Sequence, residues 1–338
     1  MKQDIVLAGN ILVDIVKTVD SYPQLGMLAN ISSVKQAVGG CVPNTAIDLA
    51  KMDSLLRLGA IGRVGQDAYG DYALSQLREH GIDTSRISRS AASPTSFSDV
   101  MSLPSGERTF FHARGANAEF APEQVELENL QCDMLHAGYL MLLDGFDAED
   151  ATYGTQMAHF LHDVQAQGIR TSVDAVSSAS ADYQRTVLPA LRYCDYVIVN
   201  EIESCGIWHI SPRRTDGTLD IAAVRGAMEK MAESGVGRKV VVHSKEAGLC
   251  LDVPTGAFTL VPSLDLPADQ IAGSVGAGDA FCAGCLYGLW KGYGDEELLV
   301  YASAAAACNL SAENAVDGLR SVQEIWQMAS AYPRREIC

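Results

Sequence analysis

Basic side chains are scarce in this chain of 338 residues. Lys and Arg number 25 against 42 Asp and Glu, which gives a formal net charge of −17 and a pI near 4.7. A field of that sign repels phosphate polymers and anionic lipid surfaces, so we expect neither nucleic acid nor a membrane as a partner. A small anion held by local backbone groups is still compatible with the sequence.

Long apolar segments and a disulfide framework are also missing. No stretch reaches the roughly 18 apolar residues of a membrane span, and the apolar run near the N-terminus lies between Asp4 and Asp14. The nine cysteines are an odd number and mostly lie in apolar segments, which is typical of reduced thiols in a cytoplasmic protein. Cys282 and Cys285 form a CxxC pair without a second pair at zinc spacing, so we interpret them as packing residues.

The apolar pattern alternates short strands with helices. Strands that are apolar on both faces predict a mostly parallel sheet covered by helices on both sides. We expect one α/β domain over residues 1–338. The predicted strands cover residues 4–9, 55–62, 133–138, 171–176, 195–200 and 239–243, and the predicted helices cover residues 43–52, 67–80, about 147–167, 279–292 and 295–310.

Two segments interrupt this alternation, at about 11–38 and 94–114. Both alternate polar and apolar residues without helices, and Pro104-Ser105-Gly106 is a turn signal inside the second. We expect them to form antiparallel strands of a small separate sheet that projects as a lid. Such a sheet has edges and an apolar face that need covering, which favours a homodimer through the lid.

The most informative segment lies at residues 271–281. Gly276, Ala277 and Gly278 run directly into a helix predicted to begin near Asp279. The free N–H groups of a first helical turn and the helix dipole together bind anions. A carboxylate beside bound phosphate can accept the proton of an attacking hydroxyl. Asp is also a favoured N-cap, and the three residues could form only a tight turn; the segment itself leaves both readings open.

Other catalytic motifs are absent from the sequence. It contains no GxxxxGK[ST], GxSxG or HExxH, and GxGxxG fails because Phe281 occupies its last position. His159 and His162 fall on one face of a predicted helix, where a solvated face is favoured over a metal site.

The sequence GSVGAGDAFCAG at residues 273–284 resembles the signature of the ribokinase-like (PfkB) carbohydrate kinases. Further landmarks follow in family order over almost the whole chain. This resemblance implies a three-layer ribokinase-like α/β fold, with a mostly parallel central sheet and a small antiparallel β-sheet lid. The other landmarks are Asp14, the segment from Gly39-Gly40 to Asn44, residues 59–70, residues 106–117, and Asn200 with Glu203 in an NxxE motif.

The resemblance also implies a role for each of these positions. Asp279 would be the general base, and the N–H groups of Gly276, Ala277 and Gly278 would stabilise the transferring phosphoryl group. Asn200 and Glu203 would act near Mg²⁺ and its waters. Taken singly, Asp14 could be a turn residue, Asn44 a helix cap and Glu203 a solvated carboxylate. Sugar contacts are expected at Asn10, Asp14, Gly39, Gly40 and Asn44, and nucleotide contacts at Asn200, Glu203, Lys245, Gly248 and Ser274.

Two arginines, Arg108 and Arg114, lie on the expected lid, where they could contact substrate or a phosphate. A solvated position on the strand face is the favoured alternative for both. His136 and Tyr139 follow a strand end and could line the pocket.

Two departures from the family pattern are informative. Gly273 and Ser274 replace its Asp-Thr pair, which puts a monovalent-cation requirement in question. Lys245 replaces a glycine near the nucleotide, whereas Gly248 is kept. Lys245 could reach an ATP phosphate or point into water, and water is slightly favoured.

The resemblance implies a kinase that uses ATP and Mg²⁺ to phosphorylate a hydroxymethyl group of a small sugar. One alternative is a nucleoside kinase of the same fold, in which Phe97, Phe110 and Phe111 of the lid would form a platform for the base. An alternative of another class is a non-catalytic sugar-binding or regulatory protein.

Overall fold

The computed structural model describes residues 2–103, 107–177 and 182–337. In chain order the strands are β1 (Gln3–Gly9), β2 (Leu12–Val19), β3 (Ile31–Gly39), β4 (Leu58–Gly65), β5 (Asp83–Ser90), β6 (Ser96–Ser102), β7 (Arg108–Ala113), β8 (Cys132–Leu140), β9 (Glu149–Asp150), β10 (Gly154–Thr155), β11 (Arg170–Ala175), β12 (Tyr196–Asn200), β13 (Lys239–His243), β14 (Ala247–Asp252) and β15 (Ala257–Pro262). The helices are α1 (Cys41–Met52), α2 (Ala68–Glu79), α3 (Ala116–Glu119), α4 (Asp144–Asp147), α5 (Gln156–Ala166), α6 (Tyr183–Thr186), α7 (Leu188–Leu191), α8 (Glu201–Gly206), α9 (Ile221–Glu233), α10 (Ala277–Lys291), α11 (Asp295–Asn309) and α12 (Val322–Ala331).

A nine-stranded sheet forms the centre of the protein, in the order β15-β14-β13-β12-β11-β8-β1-β4-β5. The strands from β13 to β5 pair in parallel, and β14 and β15 are added antiparallel at one edge. The carboxyl ends of the parallel strands therefore meet at one edge of the sheet, which is where ligands bind in open α/β sheets.

Helices cover both faces of this sheet. Along β1, Ile5 and Leu7 pack into a core shared with α1, α10 and α11. Val6 and Ala8 point to the other face, into a core shared with α5 and α9. This alternation explains why the parallel strands are apolar at nearly every position, and it confirms the predicted three-layer architecture.

Two predicted elements differ from the structure by more than two residues at one end or both. The strand expected at 55–62 is β4, Leu58–Gly65, because Leu55 lies in an exposed turn. The helix expected at about 147–167 is shorter: α5 begins at Gln156, after α4 and the two-stranded ribbon of β9 and β10.

The small sheet has the order β3-β2-β6-β7 and comes from the two segments predicted to form the lid. Two of its pairings are antiparallel, but β2 and β6 pair in parallel because the chain crosses the body of the protein between them. The turn predicted at 104–106 lies outside the described residues. Whether the sheet moves as a lid stays a prediction.

Two further findings concern membrane-spanning helices and the cysteines. Among the described helices, none is long and apolar enough to cross a membrane. All eight cysteines in the described ranges are buried and free, including Cys282 and Cys285 on α10, as expected of packing residues.

Candidate active site

The loop before α10 is held in a conformation that requires glycine. Gly276 has φ of 77°, and a side chain there would place its Cβ 2.5 Å from Ala315 Cα. The helix begins at Ala277, so the N–H groups of its first turn have no partner within the helix. These N–H groups and the dipole of a 15-residue helix could bind an anion at residues 276–278, as the sequence predicts.

Asp279 lies in the first turn of α10 and is buried. The hydroxyl of Tyr139 donates to its Oδ1 at 2.5 Å, and Asn44 Nδ2 donates to its Oδ2 at 2.9 Å. Burial raises the pKa of Asp279 to about 6, although both hydrogen bonds oppose the shift. The N-cap of α10 is Gly276, so Asp279 is not the helix cap that the sequence alone allowed.

Two glycines before α1 let the chain approach the site closely. A Cβ on Gly39 would lie 2.3 Å from Asp14 Oδ2, and Gly40, with φ of 92°, is the N-cap of α1. Asn44 lies inside α1 rather than at its cap, with its amide directed at Asp279. The structure therefore brings Gly39, Gly40, Asn44 and Asp14 together beside the buried carboxylate.

Asp14 lies on β2, at the end of a cavity of about 880 Å³. The cavity separates the small sheet from body residues that include Ala272, Val275 and Glu313. Burial raises the pKa of Asp14 to about 6, and the charge of Asp279 adds to the shift. Asp14 is part of a strand and not the turn residue that was the alternative.

Asn10 is predicted as a sugar contact, but its side chain is hydrogen-bonded to other groups of the protein. It is fully buried, its Oδ1 accepts the N–H of Tyr139 at 2.5 Å, and its Nδ2 donates to the carbonyl of Leu142 at 3.3 Å. Asn10 thus holds the segment that carries Tyr139, and its amide is not directed into the cavity.

The two arginines predicted to lie on the lid differ in position. Arg114 Nη1 donates to Asp144, and its Nη2 donates to the carbonyl of Met141 at 3.4 Å, so Arg114 ties the small sheet to the body. Arg108 lines the cavity, and its Nε is buried with no hydrogen-bond partner in the described residues.

Asn200 and Glu203 form a capping box at the start of α8. Glu203 Oε1 accepts from Asn200 Nδ2 at 2.7 Å and from the hydroxyl of Ser177 at 2.8 Å, while Oε2 accepts the Asn200 N–H at 2.9 Å. Glu203 is buried and not the solvated carboxylate that was the alternative. Burial raises its pKa to about 7, and these hydrogen bonds oppose the shift.

The donor set at this edge fits a divalent cation. Asp174 is buried at the end of β11, next to the strand that leads to Glu203. Burial raises the pKa of Asp174 well above its usual range, and the charges of Glu203 and Asp279 add to the shift. Three carboxylates that repel one another are stabilised by a hard cation with oxygen ligands, such as Mg²⁺.

The remaining predicted nucleotide residues lie at the same edge. Lys245 is largely exposed and its Nζ lies 3.7 Å from Glu246, so it points into water as the sequence favoured. Gly248 packs against Phe281, where a Cβ would meet the ring at 3.2 Å. Ser274 is exposed in the loop before α10. A Cβ on Gly273 would lie 2.9 Å from the Ala312 carbonyl, which disfavours a larger residue there.

The sequence pattern assigned no definite role to three residues near the site. Tyr139, named there only as a possible lining residue, contacts Asp279, and Asp174 was not singled out at all. His243 was also missed. It pairs with Asn200 at the sheet edge and packs against Phe281 in a tilted arrangement, with ring centroids 4.9 Å apart. The sequence feature that could have identified Asp174 and His243 is a polar residue at the end of an apolar parallel strand.

His136 does not line the pocket as predicted. Its side chain is fully buried, and Nδ1 lies 3.0 Å from the hydroxyl of Ser172. Nε2 lies 3.6 Å from the thiol of Cys282. Alternation along β8 explains the difference, because His136 and Tyr139 leave the strand in different directions.

Comparison with known proteins identifies the family. The model of the family described as pfkB family carbohydrate kinase matches residues 2–321. The chain belongs to this family. As a pfkB family carbohydrate kinase it is an ATP-dependent phosphotransferase that acts on an alcohol group of a sugar.

Relatives and solved structures resemble the chain over nearly its whole length. It is 22% identical to a 2-dehydro-3-deoxygluconokinase of Bacillus subtilis over 91% of each chain. An ATP-dependent ribose-1-phosphate kinase of Halopiger xanaduensis is 26% identical, over 91% of this chain and 92% of the relative. The ribokinase of Arabidopsis thaliana, solved with ribose and ATP, superposes with a TM-score of 0.79 at 19% identity, over 97% of this chain and 99% of that chain. This superposition confirms the ribokinase-like fold.

Proposed function

We propose that this carbohydrate kinase transfers the γ-phosphoryl group of ATP to a hydroxymethyl group of a small sugar, with Asp279 as the general base. The observation that carries the proposal is the position of the Asp279 carboxylate. It lies at the N-terminal end of α10, held by Tyr139 and Asn44, beside a cavity large enough for a sugar. A buried carboxylate with a pKa of about 6 is ionised at neutral pH and can take a proton.

Each group of residues would have a separate role in the reaction. Asp14, with the close backbone of Gly39 and Gly40, would bind sugar hydroxyls and aim the hydroxymethyl oxygen at the phosphorus. The Asp279 carboxylate would take the hydroxyl proton as the oxygen–phosphorus bond forms and the bond to ADP breaks. The N–H groups of residues 276–278 would bind the charge on the transferring phosphoryl group.

Asn200 and Glu203 would hold Mg²⁺, in part through its waters, with Asp174 close by. When bound, the ion neutralises charge on the ATP phosphates. Ser274, Gly248 and the imidazole of His243 border the same space and would contact the nucleotide. Lys245 would stay in solvent. No residue here replaces the family's aspartate at Gly273, so a monovalent-cation requirement is not part of the proposal.

The small sheet would act as the lid, and two such lids would join a homodimer. Lys35 of β3 forms an ion pair with Glu313 of the body across the cavity, a contact that would hold the closed form and exclude water. The lid also exposes large apolar side chains that a second copy would cover; they are Leu25, Met27, Leu28, Ile31 and Val34. Light scattering should then give twice the chain mass of 36.1 kDa.

The three aromatic side chains predicted to form a platform for a nucleoside base do not lie together at the cavity. Strand alternation places Phe110 on the cavity face, whereas the neighbouring Phe111 points to the opposite face. Phe97 packs against Tyr69 instead, with ring centroids 5.9 Å apart. One aromatic ring at the cavity favours a sugar over a nucleoside base.

The direct test is ADP release measured across hexoses, pentoses, sugar acids, sugar phosphates and nucleosides. We expect a sugar to be the best acceptor, and Asp279→Asn to lower kcat by about 10³-fold, since general-base catalysis contributes roughly 10²–10⁴. The variant should still bind the sugar and melt at the wild-type temperature. Near-full activity of Asp279→Asn would refute the assignment of the base. Tight sugar binding without any ADP formation would favour the non-catalytic alternative.

A further inference from the structure

Arg108 differs from the other basic residues of the lid. In the described part of the chain it forms no ion pair, and its Nε is buried without a hydrogen-bond partner. The other basic side chains in or directly after these strands each contact a carboxylate: Lys17 with Asp99, Lys35 with Glu313, and Arg114 with Asp144. Among the described basic side chains of this sheet, Arg108 is therefore the one without an acidic partner.

The small sheet forms one wall of the cavity, and its strand pairing fixes the position of Arg108 along that wall. Strand pairing aligns three rows of side chains on this face. They are a polar row of Asp14, Ser98 and His112, an apolar row of Val16, Val100 and Phe110, and a row of Thr18, Ser102 and Arg108. The first row lies next to Asp279 and the third is farthest from it. These two rows are four residues apart along the strands, about 13 Å.

The nearby carboxylates do not satisfy the guanidinium. Burial raises the pKa of Asp14 and the charge of Arg108 only opposes that rise, while the pKa of Glu313 is lowered chiefly by Lys35 with a minor contribution from Arg108. Neither carboxylate lies within ion-pair distance of Arg108. Asp14 is hydrogen-bonded to Ser98, and Glu313 is paired with Lys35. A buried N–H without an acceptor is costly, and a ligand that supplies one removes that cost.

We propose that Arg108 binds an anionic group, a carboxylate or a phosphate ester, at the end of the acceptor sugar opposite its phosphorylated hydroxymethyl group. This assignment rests on the proposed function, which places the hydroxymethyl group at Asp279. The apolar row of Val16, Val100 and Phe110 then contacts the carbon chain of the sugar between its two ends. A planar guanidinium matches the oxygens of either anion with two parallel hydrogen bonds.

Direct binding tests this subsite without relying on catalysis. Titration calorimetry would compare D-gluconate and D-ribose 1-phosphate with the neutral D-glucose and D-ribose, on the wild-type chain and on Arg108→Gln. We expect the wild type to prefer at least one anionic ligand over its neutral counterpart. Arg108→Gln should weaken that ligand about 10- to 100-fold, the usual range for a hydrogen bond to a charged group, and leave the neutral sugars within about 3-fold.

Two further variants act as controls. Lys17→Gln removes a basic side chain of the same sheet that points to the other face and contacts Asp99, so it should not change binding of the anion. Arg108→Lys keeps the charge but loses the planar fork, so its affinity should lie between those of the wild type and Arg108→Gln. In kinetics, Arg108→Gln should raise KM for the acceptor and leave KM for ATP unchanged.

The outcomes separate this inference from the proposed function. Equal binding of neutral and anionic sugars, binding of none of the four ligands, or a rise in KM for ATP in Arg108→Gln would each overturn it. Preference for the carboxylate or for the phosphate identifies which anion the subsite takes. If the anion binds through Arg108 but no acceptor yields ADP, the subsite stands and the kinase assignment fails.

Discussion

The proposed site has two sides that meet at Asp279, an acceptor side that would bind the sugar and a nucleotide side that would bind ATP. The acceptor side is formed by side chains, whereas much of the nucleotide side is formed by backbone. Asn44 and Tyr139 each donate a hydrogen bond to the Asp279 carboxylate, and Asp14 faces the cavity beyond them. Across the carboxylate, the groups that we propose to bind anions are the N–H groups of residues 276–278, and the Asn200 and Glu203 side chains are hydrogen-bonded to each other.

This difference predicts how each side responds to mutation. A side chain on the acceptor side can be removed with little change to the backbone, so its loss alters the orientation or the pKa of the base. The N–H groups of the nucleotide side have no side chain to remove. They are moved only by distorting the loop, and a distortion displaces several of them at once.

Gly276→Ala gives the largest expected effect in this comparison. The new Cβ would lie 2.5 Å from Ala315 Cα at a backbone φ of 77°, so the loop must shift and carry the N–H groups away from the phosphoryl group. We expect kcat to fall about 100-fold, as when one donor of an oxyanion hole is lost. Steady-state kinetics with both substrates varied, together with a thermal melt, would measure this effect.

Gly39→Ala is the matched control on the acceptor side. Its Cβ would lie 2.3 Å from Asp14 Oδ2, so the variant should raise KM for the sugar and leave KM for ATP unchanged. If both alanine variants affected the same kinetic constant by the same factor, the proposed division between the two sides would be wrong.

The residues that could be predicted from the sequence are those in local motifs. The loop at 276–279, the Gly39-Gly40 pair and the Asn200–Glu203 pair each depend on a few consecutive residues. Each takes its shape from short-range geometry such as a positive φ or a helix cap. The alternation of strands and helices likewise predicted the three layers of the fold.

The parts that the sequence did not predict depend on long-range contacts. Tyr139 and Asp279 are 140 positions apart, and only the assembled sheet edge brings the phenol to the carboxylate. Arg108 and Arg114 look alike in the sequence, but Asp144 lies within reach of only one of them. The β4 boundary was misplaced because Leu55 is apolar yet exposed, so its hydropathy alone was misleading.

Tyr139→Phe gives a smaller effect, on the acceptor side. The hydroxyl of Tyr139 lowers the pKa of Asp279, so its removal should raise that pKa above the present value of about 6. A general base must be deprotonated, so activity is lost as the pH falls through its pKa. The acidic limb of the kcat profile should therefore move to higher pH, with a loss of about 10-fold or less at pH 8.

Asp14 also has a pKa of about 6, so ionisation of both Asp14 and Asp279 determines the acidic limb of the kcat profile. Asn44→Leu is a second probe, because it removes the other hydrogen bond that lowers the pKa of Asp279. It should move the limb in the same direction as Tyr139→Phe. An unchanged limb in both variants would show that Asp279 does not control it.

His243→Asn gives the smallest expected effect, on the nucleotide side. The ring is adjacent to the anion site, since a Cβ on Gly278 would lie 3.3 Å from its Cε1. Burial lowers the pKa of His243 to about 4, so the imidazole is neutral at pH 7 and would offer one N–H to a phosphate. We expect the loss of one such contact to weaken ATP about 3- to 10-fold, measured by titration calorimetry.

The pH dependence makes this prediction specific to His243. A bound phosphate favours the protonated ring, so it raises the pKa of His243, and ATP affinity should increase as the pH falls from 8 towards 5.5. His243→Asn should lose that increase while its affinity for the sugar stays at the wild-type value. An increase that persisted in the variant would assign it to Glu203 or Asp174, the carboxylates at the same sheet edge whose pKa values are also raised. The imidazole would then be a packing partner of Phe281, and the nucleotide side would consist of backbone N–H groups and the cation site alone.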